Sequence, residues 1–341
     1  MKFTPSRFFT GIFLALMAGV SIISVVLFNA RTGNIRRLST NETNYDRHYA
    51  FISSGSEDNF YTAVFEAARE SFEADGDYLE FMGKNLNTPY SRYDLMKIAM
   101  GARLNGIFVE SDDSEEMKEL IGRADTLGIP VITMGVDNTS SKRKSFVGFG
   151  YYDVGQNYGK ELLKQIHDDP QTVLILMDQG SENAAQNIIF QGIRDTIDKS
   201  GNMKYFKLRT LAISDAYTFG AQESISSLIM GEEELPDIII CLNELYTTCV
   251  AQALVDYNRV GETSVYGFYT NHTILSGIEK NIITATVTVD TKQMGKYLAE
   301  AIQEYESYGF VNEYMPADIE VITAENVGGY LNAGEEEENV N

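Results

Sequence analysis

The sequence contains no tryptophan, two cysteines, six prolines and three histidines among its 341 residues. The histidines (His48, His167 and His272) are far apart and lack metal-ligand spacing, so we expect no metal site. Cys241 and Cys249 form no C-x-x-C pair and are expected to be small buried apolar side chains. A disulfide between them would have to join a strand to the next helix across an awkward span. With no tryptophan, aromatic stacking depends on tyrosine and phenylalanine.

Basic residues are also scarce, since 27 lysines and arginines face 49 acidic residues and give a net charge of −22. Such a surface repels nucleic acid phosphates and anionic lipid headgroups, so we expect no nucleic-acid partner. Apolar residues make up 44% of the chain, enough for a substantial core. Its length suits two medium α/β lobes or one large domain.

Catalytic and nucleotide-binding motifs are missing from the sequence as well. It contains no G-x-x-x-x-G-K-[ST] loop, no G-x-S-x-G elbow, no H-E-x-x-H, and no G-x-G-x-x-G following a predicted strand. We therefore expect a protein that is not an enzyme and that uses no cofactor.

One long uncharged stretch, Phe8–Ala30, contains 23 residues and is long enough to cross a bilayer as a helix. A cleaved secretory signal usually has a shorter apolar region and a small-x-small cleavage site, and no convincing site follows here. No cysteine lies nearby for lipid attachment. We therefore expect a signal anchor or transmembrane helix over 1–31 and a polar tether over 32–46. The flanking basic residues are nearly balanced, and the short N-terminal tail favours an extracytoplasmic domain.

From Tyr49 onward, short apolar runs alternate with segments of helical periodicity. The pattern begins again after Gly150, and the acidic residues 335–338 predict a solvated tail. Strand–helix alternation of this kind predicts parallel sheets covered by helices on both faces. Two successive sets predict an α/β chain of two doubly wound parallel-sheet lobes.

Several stretches resemble, in order, the periplasmic sugar-binding proteins of the ribose-binding type, whose ligand lobes also occur in LacI-type repressors. The matching stretches are Asn105–Val109, Gly128–Thr133, Val147–Gly155, Ile240–Glu244, Val265–Phe268, Gly277–Ile278, and Thr284–Asp290 with Met294–Gly295. Together they cover about residues 49–325. No helix-turn-helix precedes the lobes, so the DNA-reading relatives are disfavoured.

The resemblance implies a type I periplasmic binding fold with a three-crossing hinge. Its crossings are expected near residues 147–152, 266–270 and 287–291. Lobe 1 is expected to comprise 47–149 plus 290–318, and lobe 2 to comprise 150–289 plus 319–330. Residues 331–341 then form the disordered acidic tail.

Ligands of parallel α/β lobes bind beyond the carboxyl ends of the strands, so residues there are the candidates. Asp58 could instead only cap a helix and Phe60 could be core. Asp137 stands near the family's Asp-Arg pair, and Tyr269 stands where an Asp is expected. The candidate ligand-binding residues are Ser54, Asp58, Phe60, Tyr61, Asp137, Asn187, Tyr217, Asn243, Glu244, Tyr269 and Asp290.

These positions suggest a sugar, but a polyol, a modified sugar or a cationic ligand also fits. A simple anion is disfavoured, because no basic residue aligns with the cleft and the run Lys142–Lys144 is expected at the surface. Two functions follow from the resemblance. One is the receptor of a bacterial ABC importer beside its permease, and the other is a sensor partnering a membrane histidine kinase or chemoreceptor. A purely structural role with a degenerate cleft is a third alternative.

Overall fold

The computed structural model describes residues 45–53, 59–84, 86, 90–179, 184–213, 218–231 and 234–331. The predicted anchor and acidic tail lie outside the described residues, as does nearly all of the tether. The described residues from Arg47 onward belong to one compact unit. In the part of the chain that the structure describes, no helix is both long and apolar enough to cross a membrane.

Strands and helices alternate through the first half of the chain. These elements are β1 (His48–Ile52), α1 (Asn59–Ala74), β2 (Tyr78–Phe81), α2 (Arg92–Ala102), β3 (Gly106–Ser111), α3 (Glu115–Thr126), β4 (Val131–Gly135), β5 (Ser145–Gly148) and α4 (Tyr151–Lys164).

The alternation continues to the end of the described chain. These elements are β6 (Gln171–Asp178), α5 (Ala184–Lys199), a 3-10 turn (Met203–Tyr205), β7 (Phe206–Ile213), α6 (Thr218–Gly231), β8 (Ile238–Cys241), α7 (Glu244–Asp256), β9 (Ser264–Phe268), α8 (His272–Glu279), β10 (Ala285–Val289), α9 (Thr291–Tyr308), β11 (Tyr314–Pro316) and β12 (Ile319–Thr323).

The strands form two six-stranded sheets. The first has the order β11-β5-β4-β3-β1-β2, and the second has the order β12-β10-β9-β8-β6-β7. Every described pairing is parallel except that of β10 with β12, which is antiparallel. The predicted doubly wound α/β architecture is therefore confirmed, with one antiparallel edge strand that the sequence reading did not anticipate.

Apolar side chains fill both faces of each sheet. One cluster holds α2 and α3 against the first sheet, and another holds α6, α7 and α8 against the second. A third cluster covers the remaining faces and runs continuously from the first sheet to the second. Both cysteines are buried and unbonded, as predicted. The near-continuous apolar strands follow from burial on both faces.

The chain passes between the sheets three times. It leaves the first sheet between β5 and α4, returns between β10 and α9, which packs on α1, and leaves again between β11 and β12. The crossing expected near residues 266–270 is wrong, because β9 and β10 both belong to the second sheet. Instead, the last crossing follows Pro316.

Several helices begin close to the carboxyl end of the preceding strand. Ser114, Asn243, Asn271 and Asp290 each accept a hydrogen bond from a backbone N–H in the first turn of the helix that follows. Such caps satisfy amide groups that the helix itself leaves unpaired. Short connections thus place polar side chains at one edge of each sheet.

Candidate functional site

The carboxyl ends of the two sheets meet at four residues. Asn59 and Phe60 begin α1 after β1, while Glu244 and Tyr269 follow β8 and β9. The amide of Asn59 donates to Oε1 of Glu244 at 2.9 Å, and the rings of Phe60 and Tyr269 stack with centroids 4.4 Å apart. The geometry brings three predicted residues, Phe60, Glu244 and Tyr269, together with Asn59, which was not predicted. We call this group the inter-sheet cluster.

The ring of Tyr269 lies between two others. It stacks on Phe268 at 4.0 Å as well as on Phe60, and the planes are inclined by 24° and 23°. Its backbone has a φ of 64°, a left-handed conformation that is unfavourable for a bulky residue. Hydrogen bonds from the Tyr269 amide to Val287 and from Thr286 to the Tyr269 carbonyl hold that conformation. Such strain commonly marks a functional position.

This strain predicts that two substitutions of Tyr269 will differ in stability. Tyr269→Ala and Tyr269→Gly both remove the ring, but only glycine adopts a positive φ without a steric penalty. We expect the glycine variant to be about 1 kcal/mol more stable than the alanine variant. Chemical denaturation measures the difference, and equal stabilities would show that the backbone at 269 relaxes once the ring is gone.

Asn243 lies at the centre of a polar network in the second sheet. Its side-chain oxygen caps α7, and its amide donates to Oδ1 of Asp178 at 3.1 Å. The second oxygen of Asp178 accepts from Gln186 at 2.8 Å. Burial raises the pKa of the neighbouring Tyr246, and the charge of Asp178 adds to that shift. Two side-chain amides thus hold the Asp178 carboxyl group in place.

The structure distinguishes Gln186 from its neighbour Asn187. Gln186 is buried and also accepts from the Asp178 amide, whereas the candidate Asn187 is exposed. The structure does not bring Asn187 to the network. Sequence reasoning named Asn187 as a ligand-binding candidate and missed Asp178, which Gln186 contacts. Asp178 ends β6, so the rule that selected the other candidates would have found it.

Two arginines pair with carboxylates that follow strands β3 and β4 of the first sheet. Arg92 donates to the Glu110 carbonyl and to Asp112, at 2.9 Å and 3.1 Å. Burial opposes ionisation of Asp112, but hydrogen bonds from Ser114 and Tyr93 and the charge of Arg92 outweigh it and lower its pKa. Arg92 is thus neutralised by carboxylates.

Arg143 is the second arginine, and the expectation that Lys142–Lys144 lies wholly at the surface is wrong for it. Its side chain is only 10% exposed and forms a bidentate pair with the candidate Asp137, at 2.5 Å and 2.6 Å. Thr133 also donates to Asp137. The Asp137 carboxylate is therefore already engaged inside the protein.

The other candidates have different surroundings. Asp290 caps α9 through its Oδ1, and Tyr61 is buried with its hydroxyl so near Gly135 that an added Cβ there would lie 2.8 Å away. Tyr151, at the first crossing, has its pKa raised to about 12 by burial, with Glu110 adding to the effect. Three further candidates, Ser54, Asp58 and Tyr217, lie outside the described residues. Among the residues that are described, no three acidic, histidine or cysteine side chains form a metal-binding group.

Solved structures share the fold over nearly their whole lengths. GanP, a glucose-galactose binding protein from Geobacillus stearothermophilus, is 19% identical with a TM-score of 0.70, covering 82% of this chain and 98% of its own. A sugar-binding protein of a sugar ABC transporter from Bacillus halodurans is 18% identical with a TM-score of 0.72, covering 84% and 100%. XylFII in the XylFII-LytSN complex is 23% identical with a TM-score of 0.68, covering 82% and 98%. At these identities the likeness establishes the fold.

Sequence comparison places the chain in a family. No protein of curated function gives a significant match. The model of the periplasmic binding protein domain, in contrast, matches residues 49–308, about three quarters of the chain. That match includes strands of both sheets, except β11 and β12, and the inter-sheet cluster, and it agrees with the resemblance found in the sequence motifs. The chain belongs to the periplasmic binding protein domain family.

Proposed function

We propose that the protein is a solute-binding protein that closes on a sugar or sugar-like ligand and performs no chemistry on it. The observation that carries this proposal is the meeting of Asn59 and Phe60 with Glu244 and Tyr269 across the two sheets. Such a place combines aromatic rings with amide and carboxylate groups, which are the groups by which proteins bind polyhydroxylated ligands. GanP and the Bacillus halodurans protein, which share the fold, are sugar-binding proteins by name.

We further propose that the protein is held at the bacterial cell membrane with this domain on the extracytoplasmic side. The support is the uncharged stretch Phe8–Ala30, followed by a polar segment that leads into β1. In such an arrangement the acidic surface keeps the domain from adhering to anionic headgroups. The anchor thus confines the domain near a membrane partner while leaving it free to close.

The preferred role is that of receptor for an ABC importer, in keeping with the transporter protein from Bacillus halodurans. The alternative is a sensor that passes its ligand state to a membrane histidine kinase or chemoreceptor. One observation favours keeping it: XylFII, which has the same fold, was solved in a complex with a second protein, LytSN. Copurification from membranes separates the two roles. A permease and ATPase recovered with the chain support import, and a kinase supports sensing.

Ligand binding predicts a rise in melting temperature. The full-length chain, kept in a detergent without a sugar headgroup, is screened against neutral pentoses, hexoses and polyols. A ligand at about 100 times its Kd stabilises the folded state by about 2.7 kcal/mol, which corresponds to a shift of several degrees. The double variant Phe60→Ala/Tyr269→Ala should lose that shift. If no sugar or polyol shifts the melting temperature, the proposal of sugar binding fails.

A further inference from the structure

Glu244 differs from the other carboxylates at the sheet edges in how it is held. Its Oε1 accepts two amide hydrogen bonds, from Asn59 at 2.9 Å and from Asn271 at 2.6 Å. Asn59 belongs to the first sheet's side of the molecule, and Asn271 follows β9 of the second. Oε2 accepts no hydrogen bond from any residue that the structure describes. One oxygen thus anchors the side chain and the other is available as an acceptor.

Glu244 lies at a helix end that favours negative charge. It is the first residue of α7, and the positive end of a helix dipole stabilises an anion there. The two amide donors hold the carboxylate between the sheets without supplying a positive charge. The side chain is half-buried beside the stacked rings of Phe60 and Tyr269, so solvent screens its charge only in part.

The nearby cations do not offset this charge. Arg92 pairs with Glu110 and Asp112, and Arg143 pairs with Asp137. The sequence segments that join β1, β6 and β7 to the next helices contain no lysine or arginine, and Lys292 is exposed. An anionic ligand placed beside Glu244 would therefore meet a carboxylate with no free guanidinium among the described residues at this edge.

We propose that Glu244 determines specificity by charge, so that the site takes a neutral or amino sugar and rejects uronates and sugar phosphates. The inference rests on the proposed function, because it concerns the same site. A ligand hydroxyl or ammonium group donates to Oε2 beside the aromatic pair. A carboxylate at that place would be repelled and would leave Glu244 unsatisfied.

The test compares three sugars that differ in charge. Affinities of the full-length protein for D-glucose, D-glucosamine and D-glucuronate, and for the same galactose series, are measured in mildly acidic buffer. Two like charges about 4 Å apart at a protein surface repel by about 4 kcal/mol, so the uronate should bind about 100-fold more weakly or worse. The amino sugar should bind at least as tightly as the neutral one.

Glu244→Gln removes the charge and keeps the size and the oxygen that Asn59 and Asn271 hold, while an amide nitrogen that donates replaces the free Oε2. We expect it to erase the advantage of the amino sugar and to reduce the uronate penalty about tenfold or more. Glu115→Gln is the matched control, since Glu115 is the first residue of α3, follows its cap in the same way, and is exposed. The control should leave the order of affinities unchanged.

Each result separates the two proposals. If the protein binds neutral sugars and uronates with equal affinity, charge selection is overturned and the proposal of sugar binding stands. An unchanged order of affinities in Glu244→Gln overturns the assignment to Glu244. A protein that binds no neutral sugar overturns the proposed function, and the inference falls with it.

Discussion

Replacing Gly155 by alanine is expected to lower the free energy of unfolding by about 3 kcal/mol or more. Helices α4 and α5 touch there through their backbones. A Cβ on Gly155 would lie 2.1 Å from the Ile189 carbonyl oxygen and 2.9 Å from the Cα of Gly192. A Cβ on Gly192 would likewise lie 2.4 Å from the Tyr152 carbonyl oxygen. All three obstructing atoms belong to the backbone, so the helices must separate to make room.

Gly122→Ala is the matched control for this prediction. Gly122 also lies inside a helix, α3, but a Cβ there meets nothing within 4 Å. Alanine favours the helix over glycine by about 0.5–1 kcal/mol, so this substitution should stabilise the protein slightly. Chemical denaturation should show that Gly155→Ala lowers the free energy of unfolding and that Gly122→Ala raises it slightly. A Gly155→Ala variant as stable as the wild type would mean that α4 and α5 are not in backbone contact.

The close contact of α4 and α5 also bears on the site. Helix α4 begins directly after the first crossing, and α5 carries Gln186, which holds Asp178. If α4 were displaced, both the crossing and the polar network around Asn243 would shift. Gly155 and Gly192 therefore affect the site by setting the positions of α4 and α5, although they lie away from the inter-sheet cluster.

Periodicity alone predicted most elements closely, because long apolar strands and amphipathic helices carry strong local signals. The apolar runs and helical segments that alternate from Tyr49 onward correspond to strands and helices of the structure. The short strands β5 and β11 were not predicted, since each has only three or four residues and gains its hydrogen bonds from partners distant in sequence. Pairing over such distances leaves no periodic trace.

From the sequence, the site could be predicted only as a set of residues that follow strands. The rule that ligands bind beyond the carboxyl ends of strands selected Phe60, Glu244 and Tyr269, which the structure then brings together. It could not reveal which groups were already paired. Arg143 illustrates this limit, because its neighbours in sequence are lysines with 66% and 20% exposed side chains, and only the fold turns it toward Asp137.

The pair Asp137–Arg143 leads to the second large effect. Removing one partner of a largely buried, bidentate ion pair leaves an uncompensated charge, so Arg143→Met should destabilise the protein by about 2–4 kcal/mol. The neighbouring Lys142→Met is the control. Lys142 is 66% exposed and shares Asp125 with Lys144, so its loss should cost about 0.5 kcal/mol or less.

A double-mutant cycle then tests whether Asp137 stabilises the fold or contacts the ligand. Asp137→Asn alone should also destabilise, and the double variant Asp137→Asn/Arg143→Met should recover part of the loss, because no charge remains unpaired. If the pair is structural, the double variant binds sugar as the wild type does once folded. If Asp137 instead contacts ligand, Asp137→Asn weakens binding at temperatures where the protein is fully folded, whereas Arg143→Met does not. Calorimetric titration gives the ligand affinities of the three variants, and denaturation curves give their stabilities. Together they show whether the Asp137 carboxylate stabilises the sheet edge or binds the ligand.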